Sequence, residues 1–92
     1  MRETLNEGKI LVDFYAEWCS PCKVLKPTIE KFATEQSDVN VVLINVDEHS
    51  DIASEFGIRS IPTLLYMENG EVIGREVGTK TIEQLYIFTR LN

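Results

Sequence analysis

Two cysteines three positions apart, Cys19 and Cys22, stand between a strand-like apolar run and an amphipathic helical run. No other feature limits so strongly what the chain can fold into. They are its only cysteines. Residues 9–15 read as a buried strand, because Ile10, Leu11, Val12, Phe14 and Tyr15 are nearly continuous. Residues 20–35 read as a helix, with Leu25, Ile29, Phe32 and Ala33 spaced for one face and Lys26, Glu30 and Lys31 away from it. Thiols one helical turn apart fall within the Cα–Cα window of about 4.4–6.8 Å that a disulfide needs. The pair can therefore open and close with little backbone movement, and the strand–CxxC–helix context points to dithiol/disulfide chemistry. The same spacing is half of a structural zinc site, but zinc takes four ligands and His49 is the only histidine left to join. Two inert buried cysteines are the other alternative, disfavoured by the adjoining Trp18 and Pro21.

The remaining elements follow from the apolar periodicity. Residues 1–7 suggest a short helix stopped at Gly8. Pro27 lies inside the first long helix, removes one backbone bond and is expected to kink it. Residues 40–46 form a second apolar run, with the character of a parallel strand covered on both faces. A short helix over 50–56 ends at Gly57. Pro62 cannot donate to a ladder and is expected to begin the next strand, over 58–67. Asn69-Gly70 is a hairpin turn. It leads to a returning strand over 72–77 with a bulge near Gly74. Thr81-Ile82-Glu83-Gln84 fits a capping box that opens a final helix burying Leu85 and Phe88, flanked by Ile82 and Tyr86. The first two strands, joined by a helix, should be parallel with a right-handed crossover. An α/β domain around one mixed sheet results, and 92 residues leave room for a single domain over 1–92.

Composition narrows the function. A formal net charge of -6, scattered along the chain, argues against nucleic acid or an anionic membrane as partner. No apolar run approaches the roughly 20 residues that span a bilayer. The N-terminal residues lack the apolar core of a signal peptide, so a cytoplasmic location is expected. There, a cysteine pair is more often catalytic or metal-binding than structural.

The run from Ile10 to Lys23, ending in Trp18-Cys19-Ser20-Pro21-Cys22-Lys23, resembles the signature of the thioredoxin family. Pro27, the Asn45-Val46-Asp47 turn, Gly57-Ile58-Arg59-Ser60-Ile61-Pro62-Thr63 and Val77-Gly78 resemble it too, in order and at compatible spacing. The resemblance implies a thioredoxin-like fold with a central mixed four-stranded sheet flanked by helices, lacking the usual first strand. It departs from the family at Ser20, usually Gly, and at Tyr15, usually Trp. Leu43 stands where many members bury a lysine, which puts an Asp–Lys pair beneath the site in doubt. Without the first strand, residues 40–46 become a sheet edge, so weak self-association is expected of an otherwise monomeric protein.

The resemblance implies roles for the site residues. Cys19, at the start of its helix, is the attacking thiolate, favoured by free N–H groups and the helix dipole. Cys22, one turn in and better shielded, completes the exchange. Asp13, apolar-flanked on the preceding strand, is the candidate base, its pKa raised by burial; by resemblance it sits beneath the disulfide and acts through a water. Pro21 is tolerated in the first helical turn and stiffens the loop between the thiols. Lys23 assists the thiolate electrostatically. The Ile61–Pro62 peptide is expected to be cis, exposing the Ile61 backbone to a substrate strand. Trp18, Ile61, Pro62, Gly78 and Thr79 form the contact surface, Gly78 allowing close approach. His49 reads as a solvated helix-start residue.

The implied activity is protein-disulfide reduction through a reversible Cys19–Cys22 disulfide. No bound cofactor is expected, a thioredoxin reductase or similar enzyme supplying electrons ultimately from NADPH. A dedicated redox carrier with its own reductase and narrow targets is the alternative, followed by a binding module switched by its thiols.

Overall fold

The computed structural model describes residues 2–90. A 3₁₀ helix over Arg2–Asn6 precedes β1 (Lys9–Tyr15), α1 (Ser20–Glu35), β2 (Asn40–Asn45), α2 (Ser50–Glu55), β3 (Thr63–Glu68), β4 (Glu71–Val77) and α3 (Ile82–Phe88). Met1, the first residue of the expected N-terminal helix, lies outside the described residues, as do Leu91 and Asn92. The sheet has strand order β2-β1-β3-β4. β1 and β2 are parallel, as a helical connection requires. β3 runs antiparallel to β1, and β4 antiparallel to β3.

The period-two alternation of β1 divides the core between the two faces of the sheet. Ile10, Val12 and Phe14 join Leu5, Ile44, Ile52, Ala53, Leu65 and Met67 on one face, the α2 side. Leu11 joins Leu25, Ile29 and Phe32 of α1 and Leu85 and Phe88 of α3 on the other. By the same alternation Asp13 shares the face of Leu11, the face that α1 covers. This puts a carboxyl under the helix that carries Cys22.

Turn chemistry holds the frame. Asn69 and Gly70 both have positive φ, 52° and 85°, the requirement of a two-residue hairpin whose twist matches its strands. The Asn69 carboxamide accepts the Gly8 N–H at 2.9 Å, tying the start of β1 to the hairpin. The capping box of α3 is present, with reciprocal Thr81 and Gln84 bonds. The register shifts by one residue between Tyr66 and Met67, leaving Ile73 as the extra residue next to Gly74.

Four expectations need correction. β2 is not covered on both faces: Val41 and Val42 are half-buried and Leu43 is 41% exposed, because β2 is the edge of the sheet. The edge position itself agrees with the expectation of a missing neighbour strand. Ala33 is exposed, so the buried face of α1 is Cys22, Leu25, Ile29 and Phe32. Pro62 immediately precedes β3, which starts at Thr63. His49 is the N-cap of α2 but half-buried, and its side chain makes no capping bond.

Candidate active site

The redox pair closes the gap between β1 and α1. Cys19 is the N-cap of α1, in extended backbone, with Ser20 and Pro21 opening the helix. Its sulfur accepts the Cys22 backbone N–H at 3.2 Å, occupying the place a serine or aspartate oxygen fills in an ordinary cap. Cys19 and Cys22 form a disulfide with Cα atoms 5.3 Å apart, within the spacing expected of the motif. Pro21 has no N–H to lose in the first turn, so the ring fixes the link between the sulfurs without disturbing the helix. Ser20, Pro21 and Lys23 face solvent.

The expected difference in shielding between the cysteines is absent: Cys19 is 4% exposed and Cys22 5%. The bond draws both sulfurs into one small cluster with Ala16, against which Tyr15, Val46 and Ile61 pack.

Asp13 is buried at 3% exposure, and its Oδ1 has no hydrogen-bond partner among the described residues. Leu43 and Leu64 are its direct neighbours on β2 and β3. Burial in this setting pushes the carboxyl up from 3.8 to about 6. Desolvation disfavours the anion. A group poised there exchanges protons near neutrality. Beside Cys22 a shallow hollow, lined by Tyr15, Glu17, Lys23, Lys26 and Leu43, opens to solvent.

Trp18 is 68% exposed. Its indole N–H donates to Asp47 Oδ2 at 2.9 Å. Asp47 is held in turn by Asn45, whose buried side-chain oxygen accepts the N–H groups of Asp47 at 2.8 Å and Glu48 at 3.3 Å. Sequence reasoning marked the 45–47 turn but gave Asp47 no role; Asn two residues before Asp was the available signal of a side-chain-closed turn.

The Ile61–Pro62 peptide is cis. Ile61 packs on the cysteine cluster, and the Pro62 carbonyl accepts the Gly78 N–H at 2.9 Å. Gly78 has φ +95°, and a Cβ there would meet nothing within 4 Å, so its outer side is open. Exposed Val77 and Thr79 flank it. The structure thus places Ile61 on the cysteine cluster and links Gly78 to it through Pro62. Trp18 adjoins Cys19 in sequence with its indole turned to Asp47, and Thr79 follows Gly78.

A mixed four-stranded sheet carrying a disulfide at a helix N-terminus, with a buried carboxyl beneath that helix, has the arrangement of a dithiol/disulfide oxidoreductase. Comparison with known proteins agrees. The family model described as Thioredoxin matches residues 2–90. Thioredoxin of Bacillus subtilis (strain 168) is 44% identical over 81 residues, 87% of this chain and 78% of that protein. Mitochondrial thioredoxin of Bos taurus is 40% identical over 86 residues, 92% of this chain. The match spans 52% of the bovine protein, about half its length. The crystal structure of mitochondrial thioredoxin 3 from Saccharomyces cerevisiae (oxidized form) superposes with a TM-score of 0.88 at 33% identity. It covers 98% of this chain and 86% of that one. The chain belongs to the thioredoxin family. Its relatives include bacterial and mitochondrial proteins. No helix among the described residues is long and apolar enough to cross a membrane.

Proposed function

We propose that this single domain, residues 1–92, reduces disulfides of partner proteins with electrons from a thioredoxin reductase, NADPH being their distant source. The observation that carries the reading is the place of the Cys19 sulfur, at the N-cap of α1 with the Cys22 N–H directed at it. Once the pair is reduced, that N–H and the helix dipole favour an anionic Cys19. The exposed ammonium of Lys23, three residues into the same helix, adds to the effect. Thiolate is the attacking species in disulfide exchange.

Exchange then runs in two steps. Cys19 attacks one sulfur of the target disulfide; that S–S bond breaks, a Cys19–target bond forms, and the other target sulfur leaves as thiolate. Cys22 loses its proton to Asp13 and attacks the Cys19 sulfur. The Cys19–target bond breaks, the internal disulfide forms, and the second target thiolate departs. The target has gained two electrons and takes up two protons. Asp13 suits its role because about 6 is close to working pH and it lies under α1. Trp18, Ile61, Pro62, Gly78 and Thr79 meet the partner chain, and Ser20 and Pro21 shape the loop that presents Cys19. A reductase in the cytoplasm then breaks the Cys19–Cys22 bond, delivering two electrons, and with two protons the dithiol is restored. The carrier works as a monomer that associates weakly through the β2 edge at high concentration, which light scattering measures.

Insulin reduction with dithiothreitol as donor tests the activity. The wild-type chain accelerates insulin precipitation, Cys19→Ser does not, and Cys22→Ser accumulates mixed disulfides with insulin on Cys19. NADPH with a thioredoxin reductase replaces dithiothreitol. A wild-type rate equal to that of dithiothreitol alone would reject the reading.

A further inference from the structure

The loop that leads from β4 to α3 contains a cation turned inward. The Lys80 side chain is only 15% exposed. Its ammonium donates to the Val77 carbonyl at 2.9 Å and the Thr79 carbonyl at 3.3 Å, the two carbonyls that bracket Gly78. Glu76 Oε1 lies 3.7 Å away on the same ammonium. A lysine has three donors and no acceptor; two of them go to these carbonyls, and Glu76 balances the charge as an ion pair. Charge-assisted bonds of this kind are stronger than neutral ones and orient the carbonyls that receive them.

We propose that Lys80 is a positioning residue for protein substrates, bracing the Val77-Gly78-Thr79 loop so that its open Gly78 side is already shaped when a partner chain arrives. The proposal rests on the reading of this loop as substrate contact. Two further observations support it. The Gly78 N–H is committed to the Pro62 carbonyl, which ties the loop to the segment packed on the disulfide. The residue after Lys80 is the N-cap of α3, locked by its capping box. The loop is therefore anchored to Pro62 on one side and to α3 on the other, and Lys80 fixes the peptide planes between those anchors. A loop with its carbonyls already oriented spares the partner the ordering entropy of binding.

The test compares substrates of two sizes. Pre-reduced chain is mixed with insulin or with hydroxyethyl disulfide, which has no peptide chain to lay along the Gly78 loop. Oxidation is followed by the fluorescence of the single tryptophan. Lys80→Ala and Lys80→Met should each lower the rate constant for insulin about three- to ten-fold while leaving that for hydroxyethyl disulfide within about two-fold. Lys80→Arg, which keeps the donors, should restore most of the insulin rate. Melting temperature identifies a variant that is merely unfolded, and such a variant would lose both substrates alike. Thr79→Glu tests the underlying reading separately. If Thr79→Glu slows insulin and both Lys80 variants do not, the bracing role is wrong and the contact surface stands. If none of the three slows insulin, the loop is not a contact surface and the proposal falls with it. Equal losses on both substrates in folded Lys80 variants would also overturn it.

Discussion

Asp13 and Leu43 stand directly across from each other on β1 and β2, so the buried carboxyl beneath the redox pair faces hydrocarbon where a cation could have been. Leu64 occupies the matching place on β3. Burial alone therefore sets the proton affinity of Asp13 at about 6. A carboxyl stabilised by a neighbouring ammonium would titrate lower. The identity of the residue at position 43 thus tunes the group proposed to take the Cys22 proton.

Replacing Leu43 by Lys reverses this setting. Leu43 is 41% exposed at the sheet edge, so the longer side chain fits without opening the core. An ammonium opposite Asp13 favours the carboxylate and should lower its pKa by about 1 unit or more. Carboxyl NMR titration of oxidised protein measures the midpoint directly. A midpoint that stays near 6 or rises in Leu43→Lys would show that position 43 does not control Asp13.

Asp13 also has a stability consequence. Its folded pKa is raised from 3.8 to about 6, so the native state holds the proton more tightly than the unfolded chain. Below about pH 3 both states are protonated and the group is neutral to stability. As pH rises towards 6 the unfolded chain ionises first, and stability falls; above that window about 3 kcal/mol has been lost. Asp13→Asn removes the titration. The oxidised variant should be more stable than wild type at pH 7 by up to that amount, with the difference shrinking below about 1 kcal/mol at pH 4. It should also slow the collapse of mixed disulfides. Urea unfolding at pH 4 and pH 7 decides; an Asn variant less stable than wild type at pH 7 contradicts the account.

Much of this was legible in the chain itself, and the failures have physical causes. β1, α1, the hairpin at Asn69-Gly70 and the capping box at Thr81 are each specified by local chemistry, and each lies where expected. Val41 to Ile44 read as a strand covered on both faces because hydrophobic periodicity reports a residue's own character, not how many neighbours the topology gives it. Ala33 read as core for the same reason, since a small residue is at home on either side of a helix. The equal burial of Cys19 and Cys22 depends on packing by Val46 and Ile61, both remote in sequence. The bond from Trp18 to Asp47 joins residues 29 positions apart, beyond the reach of local pattern. Lys80 carries no local signal in the sequence, and only three-dimensional placement reveals its inward donors.

The Trp18–Asp47 bond makes its own prediction. The indole is largely exposed and has one polar anchor, at 2.9 Å. Asp47→Ala should free the ring, lowering fluorescence anisotropy, with the single tryptophan as the only indole probe. Stability should change by less than about 1 kcal/mol, because the bond is exposed. Insulin reduction should slow a few-fold if a fixed ring belongs to the contact surface. Unchanged anisotropy would mean that packing, not Asp47, holds the indole.

Gly74 is the point where β4 and α3 press together. A Cβ built on Gly74 would lie 2.9 Å from Phe88 Cε1, closer than side chains tolerate, and Phe88 is a mostly buried member of the α1/α3 core. Gly74→Ala must push the ring, and with it α3, away from the sheet. Overpacking of this kind costs about 1–3 kcal/mol. In a domain of this size that lowers the melting temperature by roughly 4–8 °C per kcal/mol. Phe88→Leu relieves the clash while opening a small void of its own. The two substitutions together should therefore cost less than the sum of their separate effects, a coupling that a double-mutant cycle isolates. Strict additivity would mean that the strand bends away without touching the ring, and that the bulge at Ile73, not the glycine, sets the approach of α3 to the sheet.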